Sequence, residues 1–237
     1  MYDAMTGGFK LSLFNKEKTQ QIGVISLRNI QCKRRTSFLN LIADKMVEVV
    51  PVVGIDFSMA NLTFDESKCL HSINQDKPSL YRNLLQAVSK AYKLISPTSL
   101  FYGFGANSVI KQTEVSDLFV GTGDLLNPIV MTDNLEHEYN ECIKRVELNL
   151  PVKFSRLIHK AVEFAEKSAQ HFLENEDPSD TLHQGGGHSL TYFVIYIFAA
   201  GIIDDLDDSI RELTRVINLP VSIVIVQLKS KGLSEQD

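Results

Sequence analysis

The stretch Val47-Glu48-Val49-Val50-Pro51-Val52-Val53-Gly54-Ile55-Asp56-Phe57-Ser58 decides the fold. Val47, Val49, Val50, Val52, Val53 and Ile55 form a near-continuous apolar run, the mark of a parallel strand buried on both faces. Before it, Phe9 to Phe14 and Ile22 to Ile30 alternate apolar and polar residues around a polar NKEKTQQ turn, which predicts a β-hairpin. Two strands alone are marginal in water, so this hairpin either packs on the rest of the chain or ends a larger sheet. After the run, helices and strands alternate. Leu80, Leu84, Leu85, Val88, Tyr92 and Ile95 recur at helical spacing, and Leu100 to Gly105 reads as a strand. Phe154, Leu157, Ile158, Ala161, Val162, Ala165, Ala169 and Phe172 trace one face of a longer helix. A strand is expected over Tyr192 to Ile203, a short helix around Ile210 to Ile217, and a last strand over Leu219 to Leu228. The fold class is therefore α/β, a doubly wound, mostly parallel sheet with an N-terminal β-hairpin.

The composition fits that reading and narrows the function. The 237 residues are 44% apolar and 22% charged, as in an ordinary globular chain. The longest apolar run is about a dozen residues, short of the roughly 20 that cross a bilayer. The start MYDAMTGGFK has no charged-then-apolar leader, and Cys32, Cys69 and Cys142 are too scattered for a disulfide framework or a zinc module, so a cytoplasmic setting is expected. Net charge is -5, unevenly spread: residues 1–50 carry about +4 and the rest about -9. Two modules are expected, 1–46 as hairpin and linker and 47–237 as the α/β domain. Lys33, Arg34 and Arg35 form a candidate contact for anionic lipid, although three charges fall short of the roughly four to eight of a lipid-binding cluster and a solvated turn is the simpler reading. The acidic main domain offers no basic stripe for nucleic acid. Gly185-Gly186-Gly187, between His183 and His188, lacks the Lys of a phosphate cradle and reads as a surface loop, and His137 sits on a solvated helix face.

In open parallel sheets, ligands meet the carboxyl ends of the strands. That rule points to Asp56-Phe57-Ser58-Met59-Ala60-Asn61, which resembles the D-F-T-x-S-N that ends the first strand of the von Willebrand factor A fold in copines. The resemblance runs in order through Ser37-Phe38-Leu39, Lys68-Cys69-Leu70-His71, the Leu80 to Ile95 helix, Tyr102-Gly103-Phe104-Gly105-Ala106 (F-G-F-G-A in the family) and Leu219-Pro220-Val221-Ser222-Ile223-Val224-Ile225-Val226 (L-P-M-S-V-I-I-V). It covers about residues 22–228, and the final KSKGLSEQD stands where copines continue into a further helix.

The resemblance implies a metal-ion-dependent site of an acid, two hydroxyls, a threonine and a later aspartate. Here Asp56 and Ser58 match. Ala60 stands for the second hydroxyl, Val152 (in Leu150-Pro151-Val152-Lys153-Phe154, family G-P-T-N-F) for the threonine, and Ala200 (in Phe198-Ala199-Ala200-Gly201, family L-T-D-G) for the aspartate. Mg²⁺ needs about six oxygens, so the site is expected to be vestigial, with Lys153 adding a positive charge if its ammonium reaches it. Asp56 and Ser58 are then expected to hydrogen-bond nearby backbone. Asp204, Asp205, Asp207 and Asp208 are expected to form the acidic first turn of the next helix, substitute metal ligands being the other reading.

Copines combine calcium-dependent phospholipid-binding sandwiches with an A-type domain that recruits proteins to membranes. Asp3 and Asp44 are the only aspartates before Asp56, so no calcium loop is expected, and no cofactor on this chain, although Ca²⁺ and Mg²⁺ belong to the family. What the resemblance implies is a non-enzymatic module that recruits partner proteins, cytoplasmic or peripheral at the plasma membrane. The other readings are a working Mg²⁺-dependent domain that binds partner carboxylates, and a ubiquitin-ligase-type copine whose zinc module is lacking here.

Overall fold

The computed structural model describes residues 9–27, 36–62, 69–72, 78–107, 115–124, 126–174 and 189–229. The chain divides into two compact units, Met1–Leu41 and Ile42–Asp237. In the first, β1 (Phe9–Phe14) and β2 (Gln21–Leu27) form the expected antiparallel hairpin, with Leu11 opposite Ile25 and a register shift between Leu13 and Phe14. Asn15 holds the turn, its Oδ1 accepting from the N–H groups of Thr19 (2.8 Å) and Gln20 (3.2 Å). A six-residue helix, α1 (Phe38–Ala43), spans the boundary in sequence.

The second unit is built on β3 (Val47–Asp56), which contains the whole valine-rich run. It lies between β10 (Leu190–Ala199) and β4 (Thr98–Phe104), and β11 (Val221–Gln227) follows β10, so the four strands β11-β10-β3-β4 are parallel. Two short strands, β7 (Phe119–Val120) and β8 (Ile129–Met131), pair antiparallel with β4 at its outer edge. A small separate sheet joins β5 (Ala106–Asn107) to β6 (Val115–Ser116) and β9 (Glu147–Leu148).

Both faces of the large sheet are covered, which is why β3 is apolar from Val49 to Ile55. On one face α4 (Ser155–Glu174) buries Leu157, Ile158, Ala161, Val162 and Ala165 with Val52, Phe193, Ile195 and Ile197. The approach is close: a Cβ on Gly54 would run into a Leu157 methyl, so a side chain there would force Leu157 to repack. On the other face, Val53 is in register with Tyr196, whose ring meets that of Tyr92 from α2 (Leu80–Tyr92) edge-on. Next to α2 lies α3 (Leu135–Ile143), tied to it by Arg82 and Gln86, both donating to Glu136. His137 is exposed on α3, as its pattern predicts.

The expected architecture is the observed one, with shifted boundaries. The strand expected to reach Ile203 stops at Ala199, because the next two N–H groups leave the ladder for a carboxylate. The helix expected near Ile210 starts earlier, as α5 (Leu206–Val216). Among the described residues no helix is long and apolar enough to cross a membrane.

Candidate functional site

Asp56 is the last residue of β3 and is fully buried. One carboxylate oxygen, Oδ1, accepts from Ser58 N–H at 2.8 Å; the other, Oδ2, accepts from Ala200 N–H at 2.9 Å and Gly201 N–H at 3.1 Å. The register of β3 with β10 explains this. Ile55 lies beside Phe198, so the chain leaving β10 begins its turn against the end of β3. The backbone-bonded role expected of Asp56 is thus its geometry. Ser58 differs: its side chain makes no cap bond, and its buried hydroxyl has no hydrogen-bond partner among the described residues. Gly105, at φ +75°, crowds this turn, since a Cβ there would lie 3.0 Å from Ser58 Cβ.

The three positions that resemble lost ligands come together. A Cβ on Gly201 would lie 2.6 Å from Val152 Cγ2 and 3.1 Å from Ala60 Cβ, which places the loops after β3, β9 and β10 in van der Waals contact. Val152 is buried beneath them. Lys153 Nζ reaches away to Asp117, at 3.1 Å, and adds no charge at Asp56.

The acidic cluster divides. Asp207 and Asp208 lie in the first turn of α5, as expected. Asp204 instead clasps Val152 by two bonds, its Oδ2 accepting from Val152 N–H (2.6 Å) and its own N–H donating to Val152 carbonyl (2.8 Å). Asp205 caps a different helix from the one it precedes. Its carboxylate accepts from Phe154 and Ser155 N–H, each at 3.0 Å, at the start of α4. Free N–H groups and the positive end of a helix dipole make that a favourable place for a carboxylate.

On its backbone side, the Asp56 carbonyl gathers side chains from three segments, with a fourth bonded behind them. Asn61 Nδ2 donates to it at 2.9 Å and to Ser58 carbonyl at 3.0 Å. His71 Nε2 lies 2.9 Å away and must carry the proton, since a carbonyl only accepts; Nδ1 then accepts from the Tyr139 hydroxyl at 2.9 Å. Tyr81 hydroxyl donates to Asn61 Oδ1 at 2.7 Å, with the Asp56 carbonyl at 3.3 Å. The imidazole of His71 is sandwiched between Phe57 (5.0 Å, 10°) and Tyr81 (4.4 Å, 9°). Burial drives the His71 pKa down to about 4 from 6.5, opposed by its bond to Asp56, so the ring is neutral near pH 7. Burial raises the pKa of Tyr81 and of Tyr139.

The copine family model matches residues 69–175, a segment that holds His71, Tyr81, Tyr139 and Val152. Two nematode relatives named nicotinic receptor-associated protein 1, from Caenorhabditis briggsae and Caenorhabditis elegans, are each 25% identical over 89% of this chain and 31% of their own length. Together these similarities support a copine-family assignment. The chain spans about a third of the length of these relatives.

Against the copine pattern, the donors at this position are few. Ala60, Val152 and Ala200 offer methyl groups, Asp56 has both oxygens committed to N–H groups, and Ser58 offers one hydroxyl. That set does not fit an octahedral cation. The sequence pattern brings Asp56, Ser58, Ala60, Val152 and Ala200 to one place, but assigns no role to Asn61, His71, Tyr81 or Tyr139. Lys33, Arg34, Arg35, Cys32, His183, His188 and the Gly185–Gly187 run lie outside the described residues.

Proposed function

We propose that this copine-family chain is a non-enzymatic module that recruits partner proteins at the cytosolic side of membranes, and that its inherited metal-ion-dependent site works without a cation. The copine-family assignment supports recruitment, and the receptor-associated name of the two nematode relatives extends it to proteins near membrane receptors. The observation that carries the cation-free reading is the Asp56 carboxylate, whose two oxygens are satisfied by the N–H groups of Ser58, Ala200 and Gly201. A cation supplies cross-links between loops; here backbone hydrogen bonds and the Val152 contact link the same loops.

Proximity labelling with the tagged chain, with and without chelation of divalent cations, tests this. The expected result is one set of membrane-associated proteins in both conditions, absent with an unrelated α/β domain. A labelled set equal to that of the unrelated domain contradicts recruitment, and a set lost on chelation contradicts the cation-free reading. Vesicle pelleting addresses the membrane. Pelleting without calcium that weakens with salt is expected if Lys33, Arg34 and Arg35 touch anionic lipid, and calcium-dependent pelleting of this chain alone contradicts the expectation of no calcium loop.

A further inference from the structure

Single exposed apolar side chains are ordinary on a protein surface; a group of them on converging loops is not. Around the closed site the loops place Met59 (47% exposed), Leu62 (48%), Leu150 (50%), Ile202 (82%) and Leu206 (55%) at the surface. Their adjacency follows from the contacts beneath them. Met59 N–H donates to Asn149 carbonyl at 2.8 Å, which sets Met59 beside Leu150. The Gly201 backbone lies against Ala60 and Val152, and Ile202 follows it directly in the chain. Where the family pattern has oxygen ligands, this chain has an apolar surface.

The rim of that surface is acidic. Among the described residues Asp204, Asp205 and Asp207 have no cationic partner, and Asp208 pairs only with the exposed Arg211. Lys153, beside Val152 in the chain, is held by Asp117. An apolar centre with an acidic rim complements a segment with apolar residues on one side and Lys or Arg around them. The same acids repel an anionic bilayer.

We propose that the loops Met59–Leu62, Leu150 and Ile202–Leu206 form a cation-independent docking surface for a basic amphipathic segment of a partner protein. This rests on the recruitment reading and names the chemistry of its partner.

The test uses two synthetic amphipathic helical peptides with the same leucine face, one with lysine and one with glutamate on the polar face. Binding to the full chain is followed by fluorescence anisotropy in chelator. The expected result is at least tenfold tighter binding of the Leu/Lys peptide, a tenfold or greater loss in Ile202→Asp, and no loss in Leu94→Asp, a change at another exposed leucine. Asp207→Lys is expected to narrow the preference between the peptides. Ile202 and Asp207 are exposed, so unfolding midpoints equal to wild type will show that both variants are folded. Equal affinity for the two peptides, no binding of either, or Ile202→Asp binding like wild type overturns the proposal, as does preferential pelleting on anionic vesicles through these residues. Partner labelling unchanged in Ile202→Asp removes this surface and leaves recruitment standing; loss of all partner labelling in the wild-type chain removes recruitment itself.

Discussion

Asp56 is bonded on two sides, and the two are built differently. Its carbonyl is held by side chains, from Asn61 and His71 with Tyr81 close by. Its carboxylate is held by backbone, from Ser58, Ala200 and Gly201. The side-chain half is polar, aromatic and buried. The backbone half is wrapped by small apolar groups and opens to solvent at Ala60. The contrast teaches that the specific chemistry lies beneath the site, in the network that fixes where the strand ends, while the side toward solvent carries apolar groups and carboxylates already engaged with N–H groups.

The largest expected effect comes from the backbone half. Asp56→Ala removes the acceptor of three N–H groups and is expected to cost about 3–5 kcal/mol by chemical denaturation, independent of added Mg²⁺. Asp56→Asn keeps one oxygen and is expected to lose about half of that. Equal stability of Asp56→Ala and wild type breaks the comparison.

The side-chain half has a pH signature. The His71 pKa is about 4 in the folded protein and near 6.5 when exposed. Between these values the unfolded chain binds the proton and the folded one does not, so this stability is present above pH 6.5 and is lost as pH falls to 4. At about 1.4 kcal/mol per pKa unit, the loss is roughly 3 kcal/mol. His71→Phe is expected to flatten the pH dependence in that window, even though it lowers stability at pH 7. An unchanged slope contradicts the buried, neutral ring.

The loop clasps are smaller. Asp205→Ala exposes the start of α4 and is expected to cost about 1–2 kcal/mol, with helix loss seen first in hydrogen exchange at Phe154 and Ser155. Smallest is the ion pair behind the network: Arg82→Ala, opposite Glu136, is expected to cost under about 1 kcal/mol by thermal unfolding, since both side chains are partly exposed.

Each half is legible in the sequence to a different degree. The valine run, the β4 stretch and the α4 stripe repeat at periods set by local geometry, so strand and helix follow from spacing. The convergence of Ala60, Val152 and Ala200 on Asp56 follows from the strand-end rule and the family pattern. The carbonyl half is not legible, because Asn61, His71, Tyr81 and Tyr139 come from four segments and only the packed fold makes them partners. His71 stands in a stretch that resembles the copine pattern, and that is the only signal. Asp204 and Asp205 show a similar limit. A run of aspartates before a helix signals a dipole partner, but which helix it serves depends on how α4 and α5 pack. The unbonded Ser58 hydroxyl departs from the expectation that it bonds nearby backbone, because a serine side chain close to a turn ordinarily does so.

A cation-free site is tested most directly by calorimetric titration of Mg²⁺ and Mn²⁺ into the wild-type chain and into the triple variant Ala60→Ser, Val152→Thr, Ala200→Asp. No binding heat is expected in the wild type, and a gain is expected in the variant, whose added oxygens restore the missing ligands. Binding by the wild type that Asp56→Ala abolishes would contradict a site that works without a cation.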